Sequence, residues 1–298
     1  MDMKPKTLYA QLVFLALSLQ LSFGQVITDT VIDYGNINQT ILEKVKQYGA
    51  ENVLVVLDID NTILTSDTDL GSDIWYQWQN DELDVKPTPE QKLAKDCLYK
   101  EAIGLLYELG RMSLTDSLLP GYIETWQKNG ITLFALTSRS PDYRAATERE
   151  LNRYDIHLNI TELHTNEGER LILTDSVSKR KMSYINGIMM TSGLNKGLML
   201  DSILDTAGMS FRSIIFVDDT PKNIEAVKAN FSLYNASELV LFYYTKIITE
   251  RLKRNNNMTL TPKQAKNMDQ DWDKLIYELN TIFPERMEKS ECAKQSQP

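Results

Sequence analysis

A chain of 298 residues is long enough for one sizeable domain with an insertion or for two modest ones, and its 42% hydrophobic content supplies the core either needs. A formal net charge of −9 argues against a nucleic-acid backbone or an anionic membrane surface as partner, because no basic surplus meets them. A small phosphorylated substrate stays open, since a divalent cation supplies positive charge locally.

Residues 1–24 stand apart: Lys4 and Lys6 precede the apolar stretch Leu8 to Phe23, and the small residues Ser22 and Gly24 come just before Gln25. This layout predicts a secretory signal peptide and hence a protein that is exported, periplasmic or secreted. An uncleaved anchor is the alternative; Gln11 and Gln20 interrupt the run, which is short for a membrane span. The spacing of Ile41, Leu42 and Val45 then predicts a helix over Asn38–Tyr48, closed by Gly49.

The run Val53-Leu54-Val55-Val56-Leu57 reads as a strand buried on both faces of a parallel sheet. It ends in Asp58-Ile59-Asp60-Asn61-Thr62, at the sheet edge where open α/β sheets bind ligands. Two carboxylates that close need a cation or a shared proton, unless the segment is simply an Asp-Asn turn with solvated acids. Roughly from Thr65 to Leu119 the strand pattern disappears. Trp75, Tyr76 and Trp78 open this stretch, and Thr88-Pro89-Glu90-Gln91 carries a capping box for a helix running to Leu109 and stopping at Gly110. A helical insertion at this point is well situated to roof the carboxylates, and its tryptophans serve either a core or a substrate.

Pro120 to Lys128 reads as a helix, and Ile131 to Leu136 as a second buried strand ending in Thr137-Ser138-Arg139. Thr137 and Ser138 offer hydroxyls and backbone N–H groups to a phosphate oxygen, or cap the helix that begins near Pro141. Arg139 pairs with phosphate or with a helix-face acid. Leu171–Thr174 and Tyr184–Thr191 read as short strands, with Asn186-Gly187 as a hairpin turn. Ser192-Gly193-Leu194-Asn195-Lys196-Gly197 leads into a helix over Leu198–Leu204, so Lys196 is either a cation for the site or a surface lysine. Ser213 to Val217 is a third buried strand, ending in Asp218-Asp219-Thr220-Pro221-Lys222-Asn223. A further strand covers Leu239–Tyr244; Trp272, Leu275, Ile276 and Leu279 then fall at helical core spacing, and 285–298 reads as a fraying tail. Cys97 and Cys292 either bridge or stay as two free thiols, the plainer reading.

Strand ends bearing Asp58/Asp60, Thr137, Lys196 and Asp218/Asp219, in that order with helices between them, resemble the four motifs of the haloacid dehalogenase superfamily. The resemblance runs from Val53 to about Tyr244, and Leu136–Arg139 with Ser192–Gly197 also look like a bacterial branch of exported phosphatase-like members whose function is uncharacterised. It implies an α/β fold: a Rossmann-like three-layer parallel sheet with a small helical cap between the first two motifs, in one domain over residues 25–284. It also implies an Mg²⁺-dependent phosphomonoester hydrolase with a small phosphorylated substrate. Asp58 would be the nucleophile and Asp60 the acid, then the base; Thr137 would donate to a phosphoryl oxygen and Lys196 screen charge. The ion would bind Asp58, the main-chain carbonyl of Asp60 and an acid of the third strand, Asp219 directly with Asp218 holding water or Lys196; Asn223, four residues beyond Asp219, fits the helper position. Superfamily members that cleave carbon–halogen or carbon–phosphorus bonds, and the ion-pumping ATPases, look different at Asp60. Ser138, Arg139 and Trp75 are further substrate-contact candidates. A fold-retaining binding or effector protein and a phosphotransferase to an alcohol acceptor are the alternatives.

Overall fold

The computed structural model describes residues 24–286; the expected leader, apart from Gly24, and residues 287–298 of the expected tail lie outside them. In chain order the first half holds β1 (Gln25–Val31), α1 (Tyr34–Tyr48), β2 (Val53–Leu57), β3 (Leu64–Ser66), α2 (Asp73–Gln79), α3 (Pro89–Lys92), α4 (Ala94–Cys97), α5 (Ile103–Leu109), β4 (Met112–Leu114) and α6 (Leu119–Lys128). The second holds β5 (Thr132–Thr137), α7 (Arg144–Asn152), β6 (Leu173–Val177), β7 (Arg180–Ile185), β8 (Ile188–Met190), α8 (Lys196–Ala207), β9 (Ser213–Asp218), α9 (Pro221–Ala229), β10 (Glu238–Tyr244), α10 (Lys246–Arg254) and α11 (Pro262–Ile282).

The fold is α/β: an eight-stranded sheet of order β1-β10-β9-β2-β5-β8-β7-β6, flanked by helices in a Rossmann-like three-layer arrangement. Every join from β1 through to β8 is parallel, and the hairpin strands β7 and β6 complete the edge antiparallel. All of β2 is buried. Because side chains alternate along a strand, Val53, Val55 and Leu57 enter one core with Tyr34, Ile37 and Ile41 of α1 and Leu119, Ile123 and Trp126 of α6. Leu54 and Val56 enter the opposite core with Leu200 and Ile203 of α8 and Ile224 and Val227 of α9. Register brings the strand ends together, with Leu57 opposite Val217 of β9 and Ala135 of β5. The acids and hydroxyl that follow therefore emerge side by side.

The sequence reading assigns no element between the leader and Asn38, yet β1 pairs in parallel with β10 from Gln25↔Glu238 to Val31↔Tyr244. It is an edge strand, largely exposed and without a continuous apolar run, so only its buried neighbour β10 defines it. Asn186 and Gly187 both have positive φ, at 55° and 69°, as the hairpin between β7 and β8 requires. Gly187 is also needed for space, since a Cβ there would sit 2.3 Å from the Leu158 carbonyl oxygen.

The expected helical insertion exists, but its borders are strands. β3 and β4 pair antiparallel, from Leu64↔Leu114 to Ser66↔Met112, and form a stem from which residues 67–111 project. The capping box at Thr88 and Gln91 is present. The single helix expected from there to Leu109 is broken at Leu93 and by a π-helical turn over Leu98–Ala102. The insertion does not close its own core: Trp75, Trp78, Leu98 and Ile103 pack in one cluster with Met268, Trp272 and Ile276 of α11. A second capping box, Thr261 with Gln264, starts α11. Arg286, expected in the fraying tail, instead pairs with Glu101 of the insertion at 2.6 Å. The plainer reading of Cys97 as a free thiol is also overturned: it is disulfide-bonded, and no free cysteine occurs among the described residues.

Candidate active site

Asp58 follows the last residue of β2, and its backbone N–H donates to the Val217 carbonyl of β9 at 2.9 Å. Asp218 ends β9, fully buried, and Lys196 begins α8, 1% exposed. The Lys196 ammonium donates to Asp58 Oδ1 at 2.5 Å and to Asp218 Oδ2 at 2.7 Å, so one cation joins two strand ends. Gly197 makes this possible. A Cβ there would lie 2.2 Å from the Ala226 carbonyl oxygen of α9, so only glycine lets the start of α8 sink far enough to bury the lysine.

Asp218 has its acceptors filled: besides Lys196, it takes the Thr220 N–H at 2.9 Å and both Asn223 contacts, at 3.0 and 3.2 Å. Asp219 accepts from the Thr220 hydroxyl at 3.1 Å, and the Asn61 side chain lies close enough to ease its charge. Asn61 reaches it from the left-handed region, φ 57°, which asparagine tolerates better than most residues. Asp58, Asp218 and Asp219 each present an oxygen within 4.8 Å of the others, a set of hard donors that could hold a cation.

Charge in this cluster is unbalanced. Burial pushes the Asp58 carboxyl up to about 7 despite Lys196, with Asp218 and Asp60 adding to the rise. Burial, then the Asp58 and Asp218 charges, push Asp219 well above the ordinary carboxyl range. Burial works against the Lys196 ammonium, but the two aspartates outweigh it and hold the proton more firmly. One lysine among these acids leaves a deficit of positive charge, which a bound cation would offset.

Asp60 is turned away from that cluster. Its carboxylate accepts from Arg139 Nε at 2.9 Å and Nη2 at 2.8 Å, a two-pronged pair in which the arginine side chain is 2% exposed and the aspartate 41%. Arg139 Nη1 donates to the Thr147 hydroxyl at 2.9 Å, and its guanidinium lies 4.6 Å from the Tyr107 ring centroid of α5. Arg139 is thus committed to an acid of the site and is not free for phosphate, the first of the roles weighed for it. Trp75 is corrected as well: it packs inside the apolar core shared with α11, the core rather than the substrate role weighed for it. Ser138 is exposed at the strand end. Thr137 is fully buried, and its oxygen accepts the Arg139 N–H at 3.2 Å, which leaves the hydroxyl proton available to another acceptor.

Several neighbours carry no local sequence signal. Arg251 of α10 pairs with Asp73 of α2 at 2.9 and 3.1 Å, tying the insertion to the core, and the Asp73 charge adds to the rise of the Asp219 carboxyl. Tyr107 stacks on Tyr143 at 4.8 Å, and Thr191 donates to the Thr137 carbonyl at 2.9 Å. These contacts join residues from separate elements; only Gly197, beside a lysine at a helix start, had a readable cue.

A curated relative from Chlamydia pneumoniae, named "Putative outer membrane protein", is 26% identical over 177 residues, 59% of this chain and 63% of its own length. This chain therefore matches less than two thirds of that relative. A family model described as a protein of unknown function, DUF2608, matches residues 31–284 and so takes in the sheet from β2 to β10, the insertion, α11 and every residue of the site. The chain belongs to the DUF2608 family.

Proposed function

We propose that this protein is an exported phosphomonoester hydrolase of the haloacid dehalogenase type, dependent on a divalent cation and acting through an aspartyl-phosphate on Asp58. The observation that carries the reading is the convergence of Lys196 on Asp58 and Asp218, beside Asp219, at the ends of adjacent parallel strands. Asp58 and Asp219 would hold Mg²⁺, with Asp218 behind them held by Lys196, Thr220 and Asn223, and the ion would supply positive charge that offsets the excess of carboxylates. Asp219 is the direct carboxylate ligand in this reading, because the acceptors of Asp218 are already filled.

The chain's own groups then divide the work. Asp58 forms an oxygen–phosphorus bond as the bond to the leaving oxygen breaks, and Asp60 gives that oxygen a proton. In the second step water attacks phosphorus, Asp60 takes a proton from it, and the bond to Asp58 breaks, which restores both groups. Lys196 screens the charge between Asp58 and the phosphoryl oxygens, and the Thr137 hydroxyl donates to one of them. The basic and apolar layout of residues 1–24 supports export to the periplasm or beyond, and the printed name of the Chlamydia relative agrees with that.

The test is phosphate release from a panel of phosphomonoesters with and without Mg²⁺, comparing the chain with Asp58→Asn. We expect metal-dependent turnover that drops by roughly 10⁴-fold or more in the variant. A variant retaining a tenth of the activity would rule out the covalent route, and a folded, metal-binding wild type silent on every ester would rule out the hydrolase reading.

A further inference from the structure

Arg139 is buried, yet its fork goes to an acid that is 41% exposed. From this geometry we infer that Arg139 is a positioning residue that fixes the direction in which Asp60 carries its proton. The inference rests on the hydrolase reading above and concerns the same site.

A carboxyl group rotates about its Cβ–Cγ bond, and a rotor presents its proton in many directions. Arg139 Nε and Nη2 each take one oxygen of Asp60, at 2.9 and 2.8 Å, which sets the carboxyl plane. The fork uses one lone pair on each oxygen, so a proton on Asp60 can sit only on a lone pair directed away from the guanidinium. The fork is itself held rigidly. Thr147 of α7 accepts from Nη1 at 2.9 Å while donating to the Tyr143 carbonyl at 2.8 Å, and Met112 Sδ of the stem lies 2.9 Å from Nη2. Tyr107 of the insertion covers the guanidinium face at 4.6 Å. Core helix, stem and insertion therefore all converge on the group that aims Asp60, and a lysine, with a single ammonium, could supply the charge but not the plane.

In the first half-reaction the proton moves from the Asp60 carboxyl to the leaving oxygen as the phosphorus–oxygen bond breaks. That transfer matters when the departing group is a poor one, such as an alkoxide, and little when it is 4-nitrophenolate, which leaves without a proton. The readout is kcat/KM, which covers the steps through departure of the leaving group, for an alkyl monoester and for 4-nitrophenyl phosphate, in full-length wild type, Arg139→Met, Arg139→Lys and Thr147→Val. The expected result is a loss of roughly 10²-fold on the alkyl ester and under roughly fivefold on the nitrophenyl ester for both arginine variants, with Thr147→Val showing the same preference more weakly. Thr147→Val also carries the comparison should Arg139→Met fail to fold. Equal losses on both esters would mean that Arg139 only supports the fold, and full recovery of the alkyl ester by Arg139→Lys would mean that charge alone suffices; either overturns the inference. A wild type inert on both esters would instead overturn the hydrolase reading, a separate outcome.

Discussion

The site has two acids two residues apart, and the molecule treats them differently. Asp58 has a side chain 7% exposed and is bound by a lysine at the start of α8; Asp60 is 41% exposed and is bound by an arginine that the insertion covers. Both acids have a buried cationic partner, so pairing alone does not distinguish them. Burial and connection do. The deep acid belongs to the sheet, a fixed place in low dielectric that suits the proposed nucleophile, and the shallow one sits at the boundary with the insertion, where the proposed reaction would pass a proton.

Removing the cation from the deep half should have the largest effect. Lys196→Met leaves Asp58 and Asp218 buried without their shared partner, a loss of about 3–5 kcal/mol in a urea titration at pH 8, together with loss of turnover. The destabilisation should shrink at pH 5, where the unpaired carboxyls can take up protons; an equal loss at both pH values would mean that Lys196 acts through packing alone. On the insertion side, Trp272→Ala opens the cluster that α11 shares with Trp75 and Trp78, at a cost of about 3–5 kcal/mol. Because this core is separate from the two sheet cores, the expected sign is protease cleavage within 67–111 before the sheet unfolds. Simultaneous loss of both would make the insertion and the sheet one cooperative unit.

The smallest effect is the dependence of metal-free stability on pH. Burial holds the Asp58 carboxyl at about 7 in the folded protein against 3.8 for an ordinary aspartate, Lys196 opposing and Asp218 adding to it. The folded state thus binds more protons than the unfolded one between these values, so stability falls as pH rises through that window. In a chelator, Tm should drop by roughly 5–10 °C from pH 4 to pH 7, and Mg²⁺ should recover most of that loss at pH 7. A Tm that rises with pH in chelator and ignores Mg²⁺ would break the picture of a charge-deficient deep half.

The deep half was legible in the sequence. Val53 to Leu57, Ile131 to Leu136 and Ser213 to Val217 are continuous apolar runs, each ending in polar residues, and parallel register then aligns those ends without further information. The shallow half was not, because its contacts link distant places: Asp60 to Arg139 across 79 positions, and the Tyr107 ring to the same guanidinium. Trp75 shows the same limit from the other side. An aromatic residue at the start of an insertion looks the same in sequence whether it lines a cleft or fills a core, and α11, nearly two hundred positions later, decides the matter. β1 was missed for a related reason, since an exposed edge strand has no apolar run of its own.

By itself, the sequence determined the α/β class, the buried strands, the order of the acids, the hydroxyl and the lysine, the capping box at Thr88 and the presence of an insertion. These depend on local pattern, whose periods and end signals are written in neighbouring residues. Only the tertiary structure decided that Asp218 is saturated while Asp219 keeps its place in the donor set, that Arg139 grips Asp60, and that α11 completes the insertion. Each of these is a meeting of side chains far apart in sequence, chosen by burial and hydrogen-bond completion once the backbone is in place.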